Sequence, residues 1–227
     1  MGEQPQNVYC VGALGIENIK KQKLLKKEEL EKSIGFSLKD PFVLVTYHPV
    51  TMEANTAKGQ FENLLKALAK LPYRIIFTKA NADAEGKAIN KLIDEYTIEH
   101  SDRTIAFSSL GMIRYLSALR LCRMVIGNSS SGIIEAPSFK VPTINIGIRQ
   151  KGRERACSVI DCGNSTESIL GAVEKAEAMY MEGRLNSISN PYEGEKTSEK
   201  IYEHIIDYLE KNENTVKHFY DLPLEEL

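Results

Sequence analysis

Serines, a histidine and an arginine, each following a short apolar run, define the chemistry this sequence can support. The stretch VIGNSSSGIIEAPSF (125–139) passes from a β-branched segment into Gly127 and Asn128, then Ser129, Ser130 and Ser131, then Gly132 and Glu135. A glycine admits close backbone approach, hydroxyls donate and accept, and backbone N–H groups at a helix start collect anions. Together they suit a phosphate, with Glu135 able to accept from the neutral hydroxyls of a sugar. The same residues also fit a serine-rich cap on an ordinary helix, with Glu135 on its solvent face. The stretch is neither a Walker loop nor GxGxxG, so no phosphate-loop signature decides.

Two further segments carry candidate groups. LVTYHPVT (44–51) sets His48 at the carboxyl end of an apolar run, with Pro49 stopping its continuation. An imidazole there could donate to a leaving phosphate or act as acid or base near neutral pH, or be a satisfied strand-end histidine. NIGIRQKGRERA (145–156) puts Arg149 directly after another run, with Arg153 and Arg155 behind. Guanidinium forks suit diphosphates, although a surface cluster paired with Glu154 reads equally from the pattern. TKANADAEG (78–86) adds Asn81 and Asp83 for caps or nucleoside contacts.

These segments need a scaffold that brings them to one place. Apolar runs at 42–47, 74–78, 104–107, 123–127, 143–147 and 158–162 read as strands buried on both faces. Helical patterns lie between them at 57–71, 85–99, 110–122, 131–139 and 165–180. The first carries Phe61, Leu64, Leu65 and Leu68 as one buried stripe. Alternation of this kind predicts an α/β fold, a doubly wound Rossmann-like parallel sheet with helices on both faces. In such sheets ligands sit beyond the carboxyl ends of the strands, where all the candidate groups fall.

The ends differ from the middle. Residues 18–36 read as a charged helix, and 194–211 as a terminal helix with Ile201, Ile205 and Leu209 on one face. Residues 212–227 read as a poorly anchored tail. NVYCVGALGIENI (7–19) reads as a short strand lacking a partner, which suggests a chain cut from a longer one. The expected organisation is a connection and charged helix over 1–36, the Rossmann-like domain over 37–185, and a helix with tail over 186–227.

Bulk properties exclude several classes. A formal net charge of −2 over 227 residues gives no reason to expect nucleic acid or an anionic membrane as partner. No apolar run nears the roughly 18 residues a spanning helix needs, and the N-terminus lacks a signal-peptide pattern, so a cytoplasmic location is expected. The four cysteines form no CxxC pair, and the four histidines have no metal-ligand spacing, so no metal site is expected. Cys122 and Cys157 lie in apolar surroundings and are expected to be buried thiols.

Read together, VGALGIENI, LVTYHPVT, KANADAEG, GNSSSGIIEAPSFKVPTINIGIRQKGRERA and NPYEGEKTSEKI resemble the C-terminal half of UDP-N-acetylglucosamine 2-epimerases. They span roughly residues 8 to 206 in the family's order. HPVT favours the hydrolysing branch, which forms N-acetylmannosamine for sialic acid and related sugars; non-hydrolysing relatives carry a basic HRRE-type sequence there. The resemblance implies a GT-B-like enzyme of two Rossmann-like domains, with UDP held mainly by the C-terminal one. Gly127, Asn128, Ser129, Ser130 and Gly132 would form the diphosphate loop. Glu135 would bind ribose hydroxyls, Arg149 would lie near the nucleotide, Asn81 would join the UDP pocket, and His48 would assist departure of UDP. The implied partners are UDP and UDP-N-acetylglucosamine, with no cofactor, metal or nicotinamide, and the full-length form would be a homodimer.

Two departures qualify the resemblance. The family's N-terminal domain, with its acid/base carboxylates, is absent, so the 227-residue chain alone is expected not to epimerise. Such groups are worth about 10² to 10⁴ in rate each. Some members carry arginines in the helix after the asparagine loop, where a sialic-acid nucleotide inhibitor binds. Here that helix reads GKAINKLIDEY, with Lys91 and Asp94, so feedback of that kind is not expected. The competing readings are the nucleotide-sugar half of a glycosyltransferase, which would usually show a second glutamate near Glu135, and a non-catalytic UDP-binding or scaffold module.

Overall fold

A computed structural model describes residues 2–50, 56–81, 84–211 and 219–221. Residues 21–191 form one compact unit, and the described residues of 1–20 and 192–227 form a second.

The larger unit is built on a six-stranded sheet, all of whose strand pairs are parallel. Its strands are β1 (Phe42–Thr46), β2 (Arg74–Thr78), β3 (Thr104–Phe107), β4 (Met124–Gly127), β5 (Thr143–Ile146) and β6 (Val159–Cys162), in the order β3-β2-β1-β4-β5-β6. The chain winds outward from β1 in one direction, then returns to β4 and winds outward in the other. That is the doubly wound order, with its switch between β1 and β4. β1, β4 and β5 are buried along their whole length. A strand covered on both faces has no polar side to show, which explains the continuous apolar runs.

Helices cover both faces. α3 (Ala57–Ala69) buries Phe61, Leu64 and Leu68 completely, at the spacing that puts them on one side of a helix. α4 (Ala84–Glu99), α5 (Gly111–Leu121) and α7 (Thr166–Met181) follow β2, β3 and β6. Ser165 starts α7 by accepting from the Ser168 N–H at 3.2 Å. Arg103 closes the other end of α3: its guanidinium donates to the carbonyls of Leu71 at 2.6 Å and Leu68 at 3.2 Å. The Leu68 carbonyl also accepts the Leu71 N–H at 3.1 Å, so the guanidinium adds charged donors to a helix end where the regular ladder stops.

Several expectations are corrected. The charged segment 18–36 is not one helix but the end of α1 (Leu14–Lys21) and then α2 (Lys27–Ile34), which stops at Gly35 in the left-handed region. α2 buries Leu30 and Ile34. Residues 8–13 form no strand, and the segment continues into α1. Cys157 is exposed rather than buried, because it sits in the turn before β6, whereas Cys122 is buried at the end of α5. The helix expected over 131–139 is a single turn, α6 (Ser131–Ile134), followed by a 3-10 turn over Ala136–Phe139. Pro137 has no N–H to continue the α-helical ladder, which accounts for the change.

In the smaller unit the N-terminal segment lies along the start of α8 (Thr197–Lys211). Gly12 and Gly194 approach so closely that a Cβ on Gly12 would stand 2.6 Å from the Gly194 Cα. Thr197 Oγ1 donates to the Val11 carbonyl at 2.9 Å, and Glu17 accepts from the Ser198 N–H at 2.8 Å. Tyr9 stacks on His204 with ring centroids 3.8 Å apart. Ile205 and Leu209, read from the sequence as lying on one face of the terminal helix, are more than half exposed. No helix among the described residues is long and apolar enough to cross a membrane.

Candidate functional site

Three loops meet at the carboxyl edge of the sheet, over the switch between β1 and β4. His48 follows β1, the serines follow β4, and Arg149 follows β5. One residue ties them together. Asn128 is 1% exposed, and its amide makes a two-point clamp on the backbone of His48: Oδ1 accepts the His48 N–H at 2.7 Å, and Nδ2 donates to the His48 carbonyl at 2.8 Å. The Asn128 carbonyl in turn accepts from Arg149 Nη1 at 3.1 Å and from the buried Gln150 Nε2 at 2.8 Å. So the sequence-predicted His48, Asn128 and Arg149 converge. The Asn128 side chain, however, holds protein.

The serine loop has a different mechanics from a long helix start. Ser130, at the position before α6, makes no side-chain cap. Ser129 Oγ accepts instead from the Ser131 N–H, at 3.3 Å. A one-turn helix adds little macrodipole, so anion binding here would rest on loop amides and hydroxyls.

The two glycines have separate reasons. Gly127 has φ +142°, and a Cβ there would stand 1.9 Å from the Thr46 carbonyl oxygen. Gly132 faces inward: a Cβ would meet Thr143 Cγ2 at 2.6 Å, and Thr143 Oγ1 donates to its carbonyl at 2.7 Å. Its smallness serves packing of α6 against β5.

Glu135 is partly buried, and its Oε2 lies out of solvent with no hydrogen-bond partner among the described residues. A buried carboxylate oxygen without a donor is costly, and native proteins rarely keep one without a use. An incoming hydroxyl would satisfy it. Arg149 is exposed as a whole, and the partial burial of its guanidinium, reinforced by the charge of Arg153, draws its pKa below the usual guanidinium value. Arg155 is paired with Asp161, and so belongs to the scaffold of β6.

A cavity of about 390 Å³ opens beside these loops, lined by Thr46, His48, Thr78, Lys79, Tyr115 and Ser129 among others. That is within the range of small-molecule sites, roughly 300 to 1,000 Å³. Four of these residues were missed by the pattern reading. Thr46 and Thr78 join hydroxyls across the ends of β1 and β2. Lys79 pairs with Asp94 at 2.6 Å. The Tyr115 hydroxyl is pushed up to about 12, chiefly by burial, with Ser131 opposing and the charge of Glu135 adding to the rise. It therefore stays protonated at neutral pH, although part of the ring remains accessible. The Tyr115 position gives no local signal, being one more large residue on an amphipathic helix.

Asn81 is exposed at the start of the loop after β2. Asp83, offered with it, lies outside the described residues, as does Thr51. Among the described residues no cluster of three metal-ligating side chains exists. A second cavity, of about 450 Å³, lies in the smaller unit between Tyr9 and Leu209 and contains none of these loops.

A family model describing UDP-N-acetylglucosamine 2-epimerase matches residues 1–206. The chain is 40% identical over 179 residues to the hydrolysing GDP/UDP-N,N'-diacetylbacillosamine 2-epimerase of Campylobacter jejuni, covering 78% of this chain and 46% of that protein. It is 36% identical over 225 residues to the polysialic acid biosynthesis protein P7 of Escherichia coli, covering 98% and 57%. The fold is that of the Methanocaldococcus jannaschii UDP-GlcNAc 2-epimerase solved with UDP-GlcNAc and UDP, with a TM-score of 0.65, 19% identity, and coverage of 91% and 56%. The chain thus spans about half the length of these relatives. A match to the family model over 206 of 227 residues is decisive: the chain belongs to the UDP-N-acetylglucosamine 2-epimerase family.

Proposed function

We propose that this chain is the nucleotide-binding half of a hydrolysing UDP-N-acetylglucosamine 2-epimerase. The observation that carries the reading is the convergence on Asn128, which sets a histidine, a serine loop and an arginine around one crevice at the switch of the sheet. The diphosphate would lie against Ser129 and Ser130 and their amides, with Arg149 beside it. Ribose hydroxyls would supply the donor that Glu135 Oε2 lacks. Gly127 would let the chain approach the phosphates, and Asn81 would contribute at the rim.

The reaction divides between two halves. A carboxylate base of the other half removes the C2 proton, the C1–O bond breaks, and UDP leaves with the bonding pair to give a 2-acetamidoglucal. His48 faces the departing phosphate and assists by charge or proton donation. Water then adds across the double bond, hydroxyl to C1 and proton to C2, and N-acetylmannosamine forms. Assignment to the hydrolysing branch is supported by the His48-Pro49 sequence, which lacks a basic residue next to the histidine, and by the hydrolysing relative from Campylobacter. A cytoplasmic site and a dimer of the whole protein complete the proposal.

Calorimetry on the 227-residue chain with UDP, UDP-N-acetylglucosamine and ADP tests it. Preference for the uridine compounds is expected, with no sugar turnover. Equal indifference to all three would favour a scaffold, and substantial N-acetylmannosamine from the chain alone would overturn the division of labour.

A further inference from the structure

The amide of Asn128 is placed like a bracket between two loops that are 80 residues apart in the chain. We propose that Asn128 is a positioning residue for His48, acting through the histidine's backbone, and that its side chain makes no contact with the nucleotide. The inference rests on the reading of this crevice as a UDP site, and assigns Asn128 a role there different from that of its serine neighbours.

Three observations carry it. First, an asparagine side chain has one acceptor and one donor end, and here both are engaged on one residue, at 2.7 and 2.8 Å, so the peptide groups flanking His48 are fixed in position and direction. Second, the clamp is buried: Asn128 is 1% exposed, which excludes water as a competitor for either bond. Third, the residue is itself anchored, its N–H donating to the Thr46 carbonyl at 3.1 Å and its carbonyl receiving Gln150 and Arg149. Movement of the histidine loop away from the serine loop would break two buried hydrogen bonds at once. A group that must meet a developing charge within a few tenths of an ångström needs such support from behind.

Aspartate tests the point, because it keeps the shape and the acceptor but, when ionised, cannot donate. In Asn128→Asp the His48 carbonyl would face a carboxylate, and the clamp would become a repulsion on one side. Serine in place of the asparagine removes both ends of the amide without adding charge, so that the His48 N–H loses its acceptor as well. The probe is UDP, and the reporter is His48 observed by NMR, with its ring assigned through His48→Gln.

In the unmodified protein one proton of the Asn128 side-chain amide should be protected from exchange, as should the His48 N–H. In Asn128→Ser, which removes the acceptor as well as the donor, the His48 N–H should exchange at least tenfold faster, and in both variants the shift of the His48 ring on adding UDP should fall several-fold. UDP affinity should change by no more than about threefold, since the serine-loop amides are untouched. An unprotected side-chain amide in the unmodified protein, unchanged exchange at His48 in folded Asn128→Ser, or an undiminished ring response in folded Asn128→Asp overturns the proposal. So does a variant that loses UDP binding as completely as it loses the ring response, because Asn128 would then be holding ligand. Absence of any UDP effect in the unmodified protein would instead defeat the UDP-site reading, while the exchange measurements, which need no ligand, would still judge the clamp.

Discussion

Gly127 and Thr46 stand opposite each other in neighbouring parallel strands, and a methyl group on the glycine would sit 1.9 Å from the threonine carbonyl oxygen. That oxygen is already engaged, accepting the N–H of Asn128 at 3.1 Å. The glycine therefore decides how closely the first and fourth strands end together, and so whether the histidine and serine loops can face one another.

Gly127→Ala is accordingly expected to cost at least about 3 kcal/mol, since both the positive φ and the contact with backbone oppose a side chain. Urea unfolding checks it. A variant as stable as the parent would mean that the strand ends spread without penalty.

Glu135→Gln should separate binding from stability. Its Oε2 has no partner among the described residues, so removing the charge should leave the melting temperature unchanged or slightly higher. UDP affinity should fall about tenfold or more, the value of a hydrogen bond to a charged acceptor. Loss of stability in place of affinity would make the carboxylate part of the scaffold.

A pH dependence follows from Glu177. Arg123 grips this carboxylate through Nε at 2.9 Å, and Tyr73 donates to it at 2.6 Å, which together hold its pKa below the ordinary value. A depressed carboxylate pKa adds stability above the unfolded-state value of about 4.3, and that stability disappears as the pH falls through the folded-state value. The Tyr73 hydroxyl is pushed up to about 12, chiefly by burial and then by Glu177. Its contribution is complete below about pH 10 and is lost as the pH rises toward 12. Glu177→Gln should cost about 1 to 3 kcal/mol at neutral pH and flatten the acid limb of the stability profile.

Arg103→Met should cost about 2 to 3 kcal/mol, because the carbonyls of Leu68 and Leu71 lose charged donors at the end of α3. UDP binding should survive at temperatures where the variant remains folded, since this contact lies at the opposite end of the sheet from the site. Parallel loss of affinity would link the two ends.

Much of this was readable from residue types. Buried strands such as 42–46 and 143–146 stand out because a strand covered on both faces is mostly apolar, its polar residues, such as Thr46 and Asn145, being kept where they find hydrogen-bond partners. Phe61, Leu64 and Leu68 likewise give their helix and its inner face together. The candidate loops were legible because chemistry concentrates where such runs stop. Where the pattern misled, tertiary context decided. Residues 131–139 have helical spacing, yet Pro137 tightens the backbone after one turn. Cys157 has apolar neighbours in sequence but a turn in space. Tyr115 and Thr78 reach the cavity only through the packing of α5 and the pairing of β1 with β2, which no local window contains. The same holds for Asn128, whose type suggested a ligand contact and whose surroundings give it another task.

The strand order also bears on when the crevice can exist during synthesis. β1 emerges first and finds β2 soon after, but its other neighbour, β4, arrives some 80 residues later. Pairings so distant along the chain form slowly, because the entropy of closing a large loop is lost before any contact is gained. A ribosome-bound chain that ends before Gly127 would hold β1 with one edge bare and His48 unrestrained. Nucleotide added at that stage should find nothing to hold, and a chaperone that shields exposed strand edges should have its longest engagement there.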